Sequence, residues 1–403
     1  MTTDRDFLPF ARPSITDLER KAVLDVLDSG WLTTGPKAKA FEAAFADYVG
    51  AKHAIALNSA TAALHLALEA IGVEEGDEVI VPTWTFAACA EVVAYLRGRI
   101  VLVDVDEETL NLTPEIVGAA LTPRTKAVIA VHFAGRPLEI ERLVAAMEPH
   151  GVAVIEDVAH AFPSRVGGPH GKMAGTFGRA AAFSFYATKT ITTGEGGMLV
   201  TDDDTIADRA RQMSLHGISR DAWKRYTAGG SWYYEIEDAG FKDNMTDIAA
   251  ALGLAQLSRA MDLLEARREL VARYRAAVTA SSIADLVELP EDAPDGSHAW
   301  HLFVVRLRLE RLDIDRAAVI DGLTALGLGT SVHFIPLHQH PYHRRVGGWQ
   351  PADFPVAERV YPRVVSLPLW PGLTDADVDR VVAGLESVLA AARVGRPRER
   401  QAV

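Results

Sequence analysis

Lys189 is the residue with the clearest capacity for covalent chemistry. It stands among Ser184, Thr188, Thr190, Thr192 and Thr193, just past an apolar run at 181–186 that reads as a strand. A lysine in a water-poor pocket loses proton affinity, and its free amine condenses with an aldehyde to form a Schiff base. A lysine in isolation is an ordinary solvated cation, so the chemistry needs partners nearby. Ser184, five residues earlier, can donate a hydrogen bond to a phosphate. Gly194, Gly196 and Gly197 let the backbone turn tightly or approach a ligand before a second strand at 198–201.

The elements that must position these residues alternate. Residues 51–72 read as a strand, the polar turn Asn58-Ser59-Ala60-Thr61 and an apolar helix. A helix N-terminus favours a phosphate, although Asn, Ser and Thr there also serve as plain caps. Residues 78–98 repeat the plan, with Trp84 and Phe86 in the loop. Strands follow at 100–106, 125–135 and 152–162, the last carrying Glu156 and Asp157. Strands alternating with helices predict a parallel α/β sheet covered on both faces. Ligands of such sheets lie beyond the carboxyl ends of the strands, where the Asn58 turn, the Phe86 loop, Asp157 and Lys189 can meet. An amphipathic helix over 14–29, capped by Ser14 or Thr16, precedes this series, and a helix-rich stretch over 244–280 follows it. Beyond 281, strand patterns at 301–309 and 329–336 and helices at 315–326 and 374–393 predict a smaller α+β domain. The expected division is a large domain, 1–255, and a small one, 256–403.

Bulk properties exclude several classes. A net charge of −13 over 403 residues argues against nucleic-acid binding. Cys89 is the single cysteine, which forbids an intrachain disulfide and fits a reducing cytosol; it reads as a small buried apolar residue. The first residues hold no apolar signal core, and no run of 18 or more apolar residues occurs, so a cytoplasmic location without a membrane is expected. The stretch Gly168-Pro169-His170-Gly171-Lys172-Met173 lacks a glycine at 166 and a hydroxyl after the lysine, so it is not a P-loop. No G-x-G-x-x-G follows the early strands. His333, His338, His340 and His343 lack helical register and a cysteine pair, so no metal is expected.

The combination that fits is pyridoxal phosphate. That cofactor needs a lysine for its aldehyde, a carboxylate to keep its pyridine nitrogen protonated, a phosphate cup and a flat side chain against the ring. Lys189, Asp157, the Ser59-Ala60-Thr61 turn with Ser184, and Phe86 supply them. Singly, Asp157 is a capping or solvated acid and Phe86 a core residue; only the set carries weight.

Over nearly its whole length the chain resembles the DegT/DnrJ/EryC1/StrS family of pyridoxal-phosphate sugar aminotransferases. The motifs are NSATAALHLAL, VPTWTFAA, VIEDVAHAF, FSFYATKTITTGEGG, GFKDNMTDIAAALGLAQL and VHFIPLH. The resemblance implies fold type I, like aspartate aminotransferase: a large domain with a mostly parallel seven-stranded sheet and a smaller α+β domain. It implies that Lys189 carries the cofactor, Asp157 pairs with the pyridinium, His160 lies near the phenolic oxygen and Phe86 stacks on the ring. Ala60, Thr61 and Ser184 would hold the phosphate, and Asn244 would reach it from the neighbouring subunit of a homodimer with shared sites. Dehydratase relatives replace the lysine by histidine, so the retained Lys189 implies transamination from an amino acid, L-glutamate, to a nucleotide-linked keto-sugar. The expected substrate contacts are Trp31, Lys224, Arg225, Lys242, His333 and His338, with the aromatic loop 223–234. GFKDNMTDI, lacking the N-Y-R triplet of many relatives, resembles members that aminate C4, so a dTDP- or UDP-4-keto-6-deoxy sugar is expected. The alternatives are C3 amination, a cyclitol ketone such as a scyllo-inosose, or a non-catalytic regulator.

Overall fold

The fold was analysed in a computed structural model that describes residues 7–168, 170–218, 233–293 and 297–394. Helices α1 (Asp17–Ser29) and α2 (Pro36–Val49) precede the sheet. Thr16, not Ser14, caps α1: its hydroxyl accepts the Leu18 N–H at 3.3 Å while Glu19 accepts the Thr16 N–H at 2.6 Å. The series then runs β1 (His53–Leu57), α3 (Ala60–Ala70), β2 (Glu78–Pro82), α4 (Ala88–Tyr95), β3 (Arg99–Val103), α5 (Pro114–Ala119), β4 (Thr125–Val131), α6 (Ile140–Met147) and β5 (Ala153–Asp157). A two-stranded hairpin, β6 (Arg165–Val166) and β7 (Lys172–Met173), leads to β8 (Ala180–Ser184), β9 (Gly197–Thr201) and α7 (Asp204–Met213).

These strands form one seven-stranded sheet in the order β1-β9-β8-β5-β4-β2-β3. Only β9 runs against its neighbours, pairing antiparallel with both β1 and β8; the other pairs are parallel. The alternation of side chains along each strand explains how both faces are covered. Ile55 and Leu57 join the core under α3, α4 and α7, whereas Ala54 and Ala56 join the core with Phe41 and Phe45 of α2. Ile80, Val128 and Val154 pack with Leu143 and Met147 of α6. Strands buried on both sides therefore read as unbroken apolar runs, as the sequence has them.

Helices α8 (Asp247–Leu257) and α9 (Ala260–Ala280) follow. Ala260 and Leu263 of α9 belong to the core beside α2, and its Leu270, Val271, Tyr274 and Val278 belong to a second core. The second core is closed by α10 (Arg316–Ala325), α13 (Asp375–Ala391) and an antiparallel sheet of β10 (Val287–Glu288), β11 (Phe303–Leu307) and β12 (Val364–Leu367). Short helices α11 (Pro341–Gly347) and α12 (Pro355–Val360) lie between α10 and β12. The strand expected at 329–336 does not form. That stretch keeps a single bridge, Ser331 to Ser366, and turns His333 and Phe334 into a cavity instead; the neighbour of β11 is β12. Among the described residues no helix is long and apolar enough to cross a membrane.

Candidate active site

The carboxyl ends of β5 and β8 open into a cavity of about 490 Å³, within the range of small-molecule sites. Its lining includes Ser59, Ala60, Thr61, Phe86, Asp157, His160, Ser184 and Lys189. These residues span more than a hundred positions of sequence, and the sheet brings them to one place.

Asp157 ends β5 and is buried. Its Oδ1 accepts the Ala159 N–H at 3.0 Å and its Oδ2 accepts the Cys89 thiol at 3.1 Å. Thr85 Oγ1 lies 3.1 Å from the same sulfur. Burial, and then the Asp157 carboxylate, push the Cys89 thiol well above its ordinary pKa, so it remains an S–H donor. Cys89 thus braces the carboxylate, a role the sequence does not announce.

Lys189 sits half-buried in the loop that joins β8 to β9. The loop hydroxyls serve the loop itself: Thr192 Oγ1 donates to the Phe185 carbonyl at 2.9 Å and accepts the Gly194 N–H at 2.9 Å. The Lys189 N–H donates to the Tyr186 carbonyl at 2.9 Å and the Thr193 N–H to the Phe185 carbonyl at 2.9 Å. Removal from water lowers the Lys189 amine to about 8, and the Asp157 carboxylate partly opposes that fall. A minority of neutral amine, the state required of a nucleophile or base, is therefore present near physiological pH, where a solvated lysine has almost none.

At the opposite end, Ser59 caps α3 by accepting the Ala62 N–H at 3.1 Å. The N–H groups of Ala60 and Thr61 have no partner within the helix, as at any helix start, and both residues line the cavity beside Ser184. Gly197 of β9 passes directly beneath: a Cβ there would lie 2.3 Å from the Ser59 carbonyl carbon and 2.5 Å from the Ala60 nitrogen. Only glycine permits that approach, which sets the helix start beside Ser184.

The remaining wall is aromatic. Phe86 is 62% exposed and its ring lies 5.9 Å from that of Phe334. Phe334 stacks on His160 at 5.5 Å, 22° from parallel. His160 accepts the Ala134 N–H on Nδ1 at 3.3 Å, which assigns its proton to Nε2. Burial, then the nearby Lys189 ammonium, hold His160 well below the usual imidazole range. His333 lines the cavity with Nδ1 2.9 Å from Ser366 Oγ, and burial, then Lys189, lower it to about 4. His301 and Glu195 also line the cavity and were not singled out from sequence.

Other expected residues lie elsewhere. His338 is buried outside the cavity, with Nδ1 2.7 Å from Thr83 Oγ1 and Nε2 2.7 Å from Glu358 Oε1, so both ring nitrogens are engaged. Trp31 lies against Gly35 and donates from Nε1 to the Thr34 carbonyl at 3.2 Å. Lys242 is exposed and donates from Nζ to Asn244 Oδ1, while Asn244 Nδ2 donates to Thr34 Oγ1 at 2.6 Å. Asn244 bridges the end of β1 at Leu57 and does not line the cavity of its own chain. Lys224 and Arg225, with most of the 223–234 loop, lie outside the described residues.

These observations test the fit of pyridoxal phosphate. A lysine of lowered basicity, a buried carboxylate, unpartnered N–H groups at a helix start and a flat aromatic wall converge on one cavity, and they match the cofactor's aldehyde, ring nitrogen, phosphate and ring face. Comparison with known proteins agrees. The profile of the DegT/DnrJ/EryC1/StrS aminotransferase family matches residues 13–386. The spore coat polysaccharide biosynthesis protein SpsC of Bacillus subtilis (strain 168) is 46% identical over 387 residues, 96% of this chain and 98% of its own. A protein assigned as a sugar aminotransferase of Streptococcus pneumoniae, solved in its PLP form, superposes with a TM-score of 0.86 at 31% identity, covering 95% of this chain and 98% of that one. DesI, solved in the presence of its TDP-sugar product, superposes at 0.82 with 33% identity, covering 95% and 93%. Fold and site define an enzyme, a pyridoxal-phosphate-dependent aminotransferase of fold type I. Within that class, the chain belongs to the DegT/DnrJ/EryC1/StrS aminotransferase family.

Proposed function

We propose that this sugar aminotransferase moves an amino group from L-glutamate to C4 of a dTDP- or UDP-linked 4-keto-6-deoxy sugar. The observation that carries the sugar reading is the cavity itself, built from the family's motif residues, in a chain 33% identical to DesI, which was solved with a TDP-sugar product. The C4 choice rests on the GFKDNMTDI segment.

Pyridoxal phosphate, when bound, supplies an aldehyde for amines and a ring that accepts the electron pair released at a substrate carbon. The Ala60 and Thr61 N–H groups and the Ser184 hydroxyl would bind its phosphate, Asp157 would hold a proton at its pyridine nitrogen, and Phe86 would cover a ring face. Lys189 Nζ, its basicity lowered by burial, would take the proton from the donor's α-carbon and return a proton two bonds away, across the intervening nitrogen. The same lysine performs both steps for the ketone, with one keto acid released per amine delivered. His160, neutral and with its proton on Nε2, would donate toward the phenolic oxygen.

The decisive assay offers glutamate with separate 3-keto and 4-keto dTDP- and UDP-sugars and with scyllo-inosose. Amination of the 4-keto sugars alone is expected. Turnover confined to the 3-keto sugars or to the cyclitol would replace the substrate assignment.

The active unit is a homodimer with shared sites. Asn244 stands outside its own cavity, and Phe86 and Tyr186 at the rim are 62% and 47% exposed, as surfaces awaiting a second copy. Lys189→Ala and Asn244→Ala chains should each have severely reduced turnover alone. Mixed and allowed to exchange, they should recover it, because a heterodimer rebuilds one intact site. Absence of recovery in verified heterodimers would show that Asn244 acts within its own chain.

A further inference from the structure

The reaction scheme above leaves His301 without a part, yet several constraints converge on it. Trp300, immediately before it, has φ of 48°, a left-handed conformation that bulky residues rarely adopt. Its N–H donates to His298 Nδ1 at 2.9 Å, and the two rings stack at 3.7 Å. The buried Arg267 guanidinium donates from Nη1 to the carbonyls of Trp300, His301 and Leu369 at 3.2, 3.3 and 2.9 Å. The N–H groups of Ala299 and Leu302 donate to the carbonyls of Gly135 and Ala134 at 2.8 and 3.2 Å. A Cβ on Gly135 would lie 2.9 Å from the Trp300 nitrogen and 3.0 Å from that of His301, so the two segments close only over glycine.

This rigid mount sets an imidazole that is 5% exposed into the cavity wall, its ring 4.5 Å from that of His160. Among the described residues Nδ1 is covered and has no partner, whereas Nε2 is not covered and no hydrogen bond reaches it, so Nε2 is the nitrogen open to the cavity. Buried polar groups are almost always paired, so a fixed, unpaired one facing a binding cavity expects its partner from the ligand. Burial, then the nearby Lys189 and Arg267 cations, hold the ring well below the usual imidazole range, so it is neutral. A neutral imidazole offers one acceptor and one N–H donor. Whichever of the two Nε2 is, a hydroxyl answers it, because a hydroxyl can both give and take a hydrogen bond. The ring suits a carboxylate poorly, because carboxylates are bound best by cations. The keto-sugar carries hydroxyls beside its ketone, whereas glutamate carries carboxylates.

We propose that His301 contacts the acceptor substrate, exchanging a hydrogen bond with a sugar hydroxyl, and thereby makes the site demand a hydroxylated ketone. The proposal rests on the keto-sugar reading given above. His301→Leu, His301→Asn and His301→Gln should be compared in single turnovers of each half-reaction, with the cofactor dissociation constant measured alongside. In the Leu variant the acceptor kcat/KM should fall roughly 50-fold, while the glutamate half-reaction and cofactor binding stay within about twofold. Gln, whose amide stands in for Nε2, should restore all but about fivefold, whereas Asn, whose shorter amide lies at the covered Nδ1, should not. The Leu variant should melt at or above the wild-type temperature, since no hydrogen bond is lost in the free protein. A lowered melting temperature would mark a structural histidine. Equal loss in both half-reactions, or weakened cofactor binding, would place its partner on the cofactor, and an unchanged acceptor half-reaction would remove the role; each of these overturns the proposal. A wild-type enzyme that turns over no keto-sugar fails at the earlier reading and takes this one with it.

Discussion

Lys189→Ala should abolish transamination, with kcat lowered at least about 10⁴-fold, the upper range for removing an acid–base group, and more because the same amine is the cofactor's covalent anchor. Among the described residues, Lys189 is the only lysine that lines the cavity. Its backbone is held by the Tyr186 carbonyl and its neighbours by Phe185 and Gln256, so the loop survives loss of the side chain. The amine also carries a pH signature. Because burial lowers it to about 8, its reactivity toward aldehydes in the cofactor-free protein should rise with pH and level off near 8, where a solvated lysine still gains up to about 10.4. The same shift affects stability. Between about 8 and the unfolded value near 10.5, the unfolded chain binds more protons than the folded one, so wild-type stability rises with pH across that window and the Ala variant lacks the rise. Borohydride reduction of the loaded enzyme and peptide mapping should put the pyridoxyl label on Lys189. A label elsewhere, or an Ala variant of near wild-type turnover, would falsify the assignment.

Asp157→Asn should lower kcat roughly 10³-fold, as expected when a preorganised charge at the reacting system is removed. Asparagine is the informative change. Alanine would strip the acceptor from the Cys89 thiol and from the Ala159 N–H together, whereas the amide oxygen keeps one of them and the shape of the side chain. What is lost is the negative charge that holds a proton on the pyridine nitrogen. The charge also raises the Lys189 amine, so in the cofactor-free Asn variant the aldehyde-reactivity plateau should move to lower pH. Turnover within about tenfold of wild type, well short of the loss that electrostatic catalysis predicts, would show that the carboxylate does not face the ring.

The sheet was legible because strands buried on both faces leave unbroken apolar runs, and because Asp157 and Lys189 fall where such runs end. The direction of β9 was not legible. Its run, Met198 to Thr201, looks like the parallel strands of the sheet, and its antiparallel course goes with a connection, 185–196, that holds no crossover helix. The expected strand at 329–336 failed because alternation alone cannot distinguish a ladder partner from a segment that turns His333 and Phe334 toward a cavity. His338 carried the look of a site histidine, but Thr83 and Glu358, far away in sequence, engage its ring. His301 was missed for the converse reason. It opens an apolar strand pattern, and the signs of its exceptional setting, Arg267 and Gly135, lie in other segments.

The two ends of the Lys189 loop are clamped to each other, since Ser184 and Gly197 face one another across β8 and β9. The amine therefore swings on an anchored pivot, and its whole range is the sweep of one aliphatic arm. Capture, release and recapture of the same partner become side-chain rotations rather than chain movements. A catalytic cycle that revisits a single position many times has its return path written into a hairpin.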